Sequence, residues 1–180
     1  MLLYISGFNS TPKPWIPVTL KEELDQKKVV YYVLKNVLSE DLKNLREIIT
    51  QSQDNLVLIG HSTGGFLALT LLREFDKVIA AHCINPAFNL IDALDKNPDA
   101  INFLKERSLI LEIMQANADY FKSPSPVCLY QGMLDDRVDI PYNEKMMLAL
   151  AGQVYRYPDL GHKFDQDGFR MILKDIRASC

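Results

Sequence analysis

Three residues carry most of the chemistry that this sequence offers. They are Ser62 in Gly60-His-Ser-Thr-Gly64, Asp135 in Gln131-Gly-Met-Leu-Asp135, and His162 in Asp159-Leu-Gly-His162. A serine hydroxyl is a poor nucleophile at neutral pH and becomes a good one when an imidazole takes its proton during attack. A carboxylate on the far side of the ring fixes the tautomer and stabilises the imidazolium that forms. The chemistry would be acyl transfer through a covalent intermediate. Each residue also has an ordinary reading: G-x-S-x-G alone is a glycine-rich turn, and Asp135 and Asp136 both suit a solvated loop. Of the three histidines, only His162 follows a late strand. His61 adjoins the serine, but neighbouring side chains on extended backbone diverge, so it cannot readily serve Ser62. His82 lies in an apolar run and reads as a satisfied core histidine.

The elements around these residues must position them. Four apolar residues, Leu56 to Ile59, run into Gly60, and an amphipathic segment over 66–75 follows the turn. Strand, sharp turn and helix form the context that a nucleophile elbow requires. The serine of an elbow holds a strained backbone, and its flanks must lack side chains for the strand to reverse into the helix. Gly60 and Gly64 stand there, and Gly65 would let the helix lie close to a neighbour. The turn lifts the hydroxyl above the strand ends and aims the first helical N–H groups at the same space.

Strands are predicted over 2–6, 29–34, 56–59, 78–84, 127–130 and 153–157, with helices between them. Prolines 12, 14 and 17 delay the first helix to about residue 18, with Thr19 as a cap of 20–25. Further helices are predicted from Ser39 to about residue 52, over 142–150 and over 168–177. This alternation implies an α/β fold, a mostly parallel sheet of about six strands with helices on both faces. Residues 87–121 show helical periodicity and no clear strand, so they read as a small helical cap inserted into a single domain spanning 1–180. In such a sheet the functional groups gather beyond the carboxyl ends of the strands. Asp135 and His162 follow strands five and six, which gives the order Ser…Asp…His of α/β-hydrolases.

The totals exclude other classes. With 180 residues, 48% hydrophobic and 24% charged, the chain is an ordinary globular protein. A net charge of -3 and a pI near 5.6 give no electrostatic case for nucleic acid or an anionic membrane. Cys83 and Cys128 sit in apolar runs and read as reduced thiols, Cys180 is the last residue, and no Cys/His spacing suits zinc. The opening apolar run is too short for a signal peptide, so it reads as a core strand and the location as cytoplasmic. The oligomeric state stays open.

The chain resembles the YqiA-type esterase family of small α/β-hydrolases. The resemblance rests on Tyr4-Ile-Ser-Gly-Phe-Asn-Ser10, Gly60-His-Ser-Thr-Gly-Gly65, Ile84-Asn-Pro-Ala87, Gln131-Gly-Met-Leu-Asp135 and Gly161-His162. It implies Ser62 as nucleophile, Asp135 as acid, His162 as base, and an oxyanion hole from the backbone N–H groups of Phe8 and Thr63. Relatives read His-Gly-Phe-Asn-Ser where this chain has Ser6, so the anchoring side chain of that loop differs. Asn9 and Ser10 are expected to hold the loop by side-chain to backbone bonds.

Three functions compete on this reading. The first is a serine hydrolase acting on small carboxylic esters or thioesters, with a small-molecule substrate and no metal or organic cofactor. The second is acyl transfer or thioester hydrolysis on a carrier-bound substrate, favoured by a basic rim at Lys105 and Arg107. The third is a binding module that keeps the fold without turnover. Trp15, Phe88, Met114 and Met133 are candidate pocket residues, although apolar side chains are more often core.

Overall fold

The apolar runs become the strands of one sheet, buried because helices cover both of its faces. The computed structural model describes residues 1–25, 28–119 and 126–179. Its strands are β1 (Leu2–Ile5), β2 (Val29–Tyr32), β3 (Leu56–His61), β4 (Val78–Ile84), β5 (Val127–Gly132) and β6 (Gln153–Tyr157). They lie in the order β2-β1-β3-β4-β5-β6, and every neighbouring pair is parallel. Parallel neighbours need long crossovers. These carry α1 (Trp15–Leu24), α2 (Leu38–Gln51), α3 (Thr63–Glu74), α4 (Leu90–Asp95), α5 (Ile101–Leu104), α6 (Arg107–Ala118) and α7 (Ile140–Ala149), and α8 (Gln166–Ser179) closes the chain. The strand order changes direction between β1 and β3. A crevice therefore opens at their carboxyl ends, where open α/β sheets place their ligands.

Period-two alternation divides the core between the two faces. In β1, Leu3 and Ile5 join the core under α2 and α3, while Leu2 and Tyr4 join the core under α1 and α8. The helix after the elbow differs from its amphipathic reading, since every residue from Thr63 to Leu72 is buried. The cause is the segment between β4 and β5. Phe103, Ile110 and Ile113 pack into the same core, and Asn117 Nδ2 donates to Thr70 Oγ1 at 3.0 Å. Those helices thus complete the core over α3 as well as bordering the strand ends.

Several boundaries move for physical reasons. The first helix starts at Trp15 because Pro17 falls within its first turn, where a missing N–H costs nothing. Thr19 is no cap: its hydroxyl donates to the Trp15 carbonyl one turn back at 2.8 Å. Strand β5 runs on to Gly132, pairing Gln131 with Arg156 and Gly132 with Tyr157. Asp139 caps α7 through the Tyr142 N–H at 3.0 Å, so that helix begins two residues before its predicted start. The end of the predicted 87–121 segment, most of Ser123-Pro-Ser-Pro126, and Cys180 lie outside the described residues. Among the described residues no helix is long and apolar enough to cross a membrane.

Candidate active site

The elbow forms as its residues require. Ser62 has φ 55° and ψ -120°, a backbone conformation that a side chain rarely adopts. Neighbouring turns hold it there. The Ser62 N–H donates to the Ile84 carbonyl at 3.0 Å, and the Ser62 carbonyl accepts from Gly65 at 2.9 Å and Ala87 at 3.1 Å. The flanking glycines are needed for close approach and not for positive φ. A Cβ on Gly60 would strike the Gly64 carbonyl, and one on Gly64 would strike the carbonyl oxygens of Ile5 and Ser6. Gly65 lets the turn after β4 come near, with Pro86 Cβ only 2.8 Å from where its own Cβ would stand.

The loops after β5 and β6 bring Asp135 and His162 together. Asp135 Oδ2 accepts from His162 Nδ1 at 2.8 Å, while Oδ1 accepts the N–H groups of Arg137 at 2.9 Å and Val138 at 3.3 Å. The Asp135 side chain is fully buried, and that of His162 is 11% exposed. A carboxylate accepts only, so Nδ1 carries the imidazole proton and Nε2 keeps a lone pair. Ser62 and His162 line the same cavity. The Ser62 hydroxyl makes no hydrogen bond among the described residues, an arrangement common in unliganded sites, where the contact tightens with substrate. Asp136 is exposed and lines the cavity without touching His162.

Two residues hold His162 in ways that sequence reasoning missed. His61 lines the same cavity as Ser62 and makes no hydrogen bond to it among the described residues; its Nε2–H donates to the His162 carbonyl at 2.8 Å. Its ring lies 5.1 Å from that of His162 and edge-on to Phe164 at 5.0 Å. Asn85, at φ 42°, bridges the two loops. Its amide donates to the carbonyls of Gly161 at 2.9 Å and His162 at 3.3 Å. Its oxygen accepts from the Gly132 N–H at 2.7 Å and Gln131 Nε2 at 3.3 Å. Behind it, Asn143 donates to the Pro86 carbonyl at 2.7 Å and to Gln131 Oε1 at 3.1 Å. The available cue was an asparagine before a proline at the end of a central strand, a place suited to a left-handed residue.

Burial gives two histidines a measurable consequence. Desolvation first, then the nearby His162, pushes the His61 pKa down to about 3, and desolvation pushes that of His82 down to about 4. His82 is a satisfied core histidine, with Nδ1 2.9 Å from the Tyr130 hydroxyl. Both stay neutral in the fold but bind protons in the unfolded chain below about 6.5. Their stabilisation is therefore complete above that pH and lost as the pH falls, by about 1.4 kcal/mol per unit for each histidine. Near pH 5.5 these two rings together are expected to contribute an uptake of about two protons on urea unfolding, read as the fall in the pH slope of stability when both are replaced by glutamine. An unchanged slope would mean that neither ring is held neutral.

The loop after β1 faces the elbow. Ser6 anchors it: its hydroxyl accepts the Leu34 N–H at 3.1 Å and donates to the Gly7 carbonyl at 3.3 Å. The anchoring expected of Asn9 and Ser10 comes from elsewhere. Asn36 Oδ1 accepts the Asn9 backbone N–H at 2.9 Å, and the Asn9 amide reaches Asp99 at 3.5 Å. Buried Asp41 fixes the Asn36 turn by accepting the N–H groups of Lys35 at 2.8 Å and Asn36 at 3.1 Å. The backbone N–H groups of Phe8 and Thr63 take no acceptor among the described residues, and both residues line the cavity.

That cavity measures about 700 Å³. None of Trp15, Phe88, Met114 and Met133 lines it. Trp15 packs edge-on to Phe169 at 5.7 Å, Phe88 and Met114 belong to the core, and Met133 is exposed. Its apolar lining comes instead from Phe8, Leu94 and Val138 on one side and Ile16 and Phe164 on the other. The expected basic rim also fails to reach it: Arg107 pairs with Asp95 at 3.1 Å, Lys105 bonds Asn102 at 3.0 Å, and neither lines the cavity.

The overall fold recurs in solved structures. An esterase domain from a Rhodothermus marinus protein superposes with a TM-score of 0.75 at 16% identity, over 99% of this chain and 85% of that one. Est1E from Butyrivibrio proteoclasticus with bound ferulic acid gives 0.73 at 16% identity, over 99% and 88%. The Paleococcus ferrophilus monoacylglycerol lipase gives 0.71 at 14%, over 99% and 93%. At such identities the likeness establishes the α/β-hydrolase fold. No curated protein matches the sequence significantly. A family model does, along residues 1–176, and the chain therefore belongs to the uncharacterised protein family UPF0227, the YqiA-type family.

Proposed function

We propose that this protein is a serine hydrolase that cleaves small carboxylic esters or thioesters by way of an acyl-enzyme. The observation that carries the reading is the buried Asp135 carboxylate, bonded to His162 Nδ1 at 2.8 Å beside the cavity onto which the Ser62 elbow opens. Ser62 Oγ attacks the ester carbonyl while His162 Nε2 takes its proton. The tetrahedral oxyanion sits against the N–H groups of Phe8 and Thr63, which have no protein acceptor to give up. His162 then protonates the leaving alcohol or thiol, and water repeats the sequence on the acyl-enzyme. Asp135 keeps the imidazole in the required tautomer throughout. His61 and Asn85 act as positioning residues, since they hold the His162 backbone and touch nothing that reacts.

Cavity size bears on the substrate. Acyl and alcohol portions share about 700 Å³, and the apolar lining is limited to short walls, Phe8, Leu94 and Val138 on one side and Ile16 and Phe164 on the other, set among polar and charged side chains. Each methylene that finds no such wall forgoes about 0.8 kcal/mol of burial. In a p-nitrophenyl ester series kcat/KM is expected to peak between acetyl and butyryl. Efficiency still climbing at decanoyl would show that an apolar groove continues beyond these residues. Absence of turnover along the whole series would remove the esterase reading.

A further inference from the structure

The chain has 23 acidic and 20 basic residues, yet its cavity has the opposite balance. Lys13, Lys96, Arg137 and Lys163 line it against Asp99 and Asp136. The carboxylates segregate to one side. One wall comes from residues associated with the α2–α3 core, namely Phe8, Ala93, Leu94 and Val138. Both carboxylates lie in the stretches that build this wall: Asp99 just after α4 and Asp136 beside Arg137 and Val138. Lys96 on the same side is already neutralised by Asp92 at 2.7 Å.

The other wall belongs to the α1–α8 core, through Tyr4, Ile16, Tyr31 and Phe164. Its charged members are Lys13 and Lys163, and no carboxylate lines it. Among the described residues neither lysine has a carboxylate within ion-pairing distance. The Lys13 ammonium lies over the Trp15 ring, 5.5 Å from its centroid. The Tyr31 hydroxyl accepts the Lys13 backbone N–H at 3.4 Å, which leaves its own proton free to donate. Burial raises the Tyr31 pKa, so that proton stays in place at neutral pH. His61 on this wall is neutral and already committed to the His162 carbonyl. The wall therefore presents donors and positive charge in the cavity that Ser62 lines, with no protein acceptor among the described residues to meet them.

We propose that the wall formed by Lys13, Tyr31 and Lys163 binds an anionic group of the substrate, so that the esters cleaved carry a carboxylate or phosphate. The inference rests on the serine-hydrolase reading. Bonds between charged partners are the strong ones, and a positive cleft also draws anions in by steering. The acyl portion with its apolar atoms then faces Leu94 and Val138, or the acyl portion itself carries the charge.

Ester pairs decide the matter. Charge on the alcohol side is tested with para-acetoxybenzoate against its methyl ester, and with para-acetoxyphenyl phosphate against para-tolyl acetate. Charge on the acyl side is tested with monophenyl adipate against phenyl hexanoate. Each pair is measured with wild type and with Lys13→Gln/Lys163→Gln. The readout is the anionic-to-neutral ratio of kcat/KM, in which intrinsic ester reactivity cancels between the two proteins. In at least one pair this ratio is expected to fall about tenfold in the variant, mostly through KM, and to fall also in wild type as salt rises. The pair that responds identifies which portion bears the charge and whether it is carboxylate or phosphate. An unchanged ratio in every pair, with neutral esters still hydrolysed, overturns the inference and spares the hydrolase reading. No turnover of any ester by wild type overturns both.

Discussion

Ser62→Ala is expected to lower kcat for an activated ester by about four to six orders of magnitude while leaving the fold intact. The Ser62 hydroxyl makes no hydrogen bond among the described residues, so its removal orphans no partner. The strained φ of 55° is held by the Ile84 carbonyl and by the Gly65 and Ala87 N–H groups, all acting on the backbone, which alanine retains. His162→Ala is expected to cost as much, and Ser62→Ala/His162→Ala no more than either alone, because the residues act as a unit. Thermal melts of all three variants near that of wild type would locate the loss in chemistry. Near-normal kcat in either single variant would remove Ser62 and His162 from the mechanism.

The second large effect separates two adjacent carboxylates. Asp135→Asn is expected to lower kcat by about 10⁴-fold, since an amide beside Nδ1 permits the wrong imidazole tautomer. Asp136→Asn is expected to leave kcat nearly unchanged, because that side chain is exposed and does not reach His162. The backbone explains the difference. Asp135 is buried where Oδ1 takes the N–H groups of Arg137 and Val138, and Asp136 follows exposed on the cavity wall, with no bond to His162. Steady-state kinetics of the two variants checks this, and the reverse ranking would reassign the acid.

What could be read in the sequence follows from how local each feature is. The elbow is legible because strand, turn and helix are contiguous, and its glycines answer to atoms a few residues away or on the adjoining strand. Asp135 and His162 are legible because strands β5 and β6 end just before them. The supports of His162 are not, since His61 and Asn85 reach it across 101 and 77 positions of sequence. Extended-backbone geometry argues that His61 does not serve Ser62, but it does not say which group His61 bonds instead. The full burial of α3 is hidden for a similar reason: its outer face is covered by α6, which a helical-wheel reading treats as solvent. Ser6, where the family resemblance implies a histidine, reads as a changed anchor. The Leu34 N–H, two residues past the end of the neighbouring β2 strand, lets the shorter side chain do that work. The pocket residues failed because Trp15, Phe88 and Met114 are absorbed by the two cores and Met133 faces solvent, leaving Phe8, Ile16, Leu94, Val138 and Phe164 at the cavity.

The central claim is that Ser62 is an activated nucleophile. It is tested most directly by a fluorophosphonate probe followed by intact mass and peptide mapping. The probe requires an activated serine and is indifferent to the natural substrate. One phosphonyl adduct per chain is expected, on Ser62, absent from Ser62→Ala and strongly slowed in His162→Ala. An unlabelled wild-type protein, or an adduct on another residue, would contradict it.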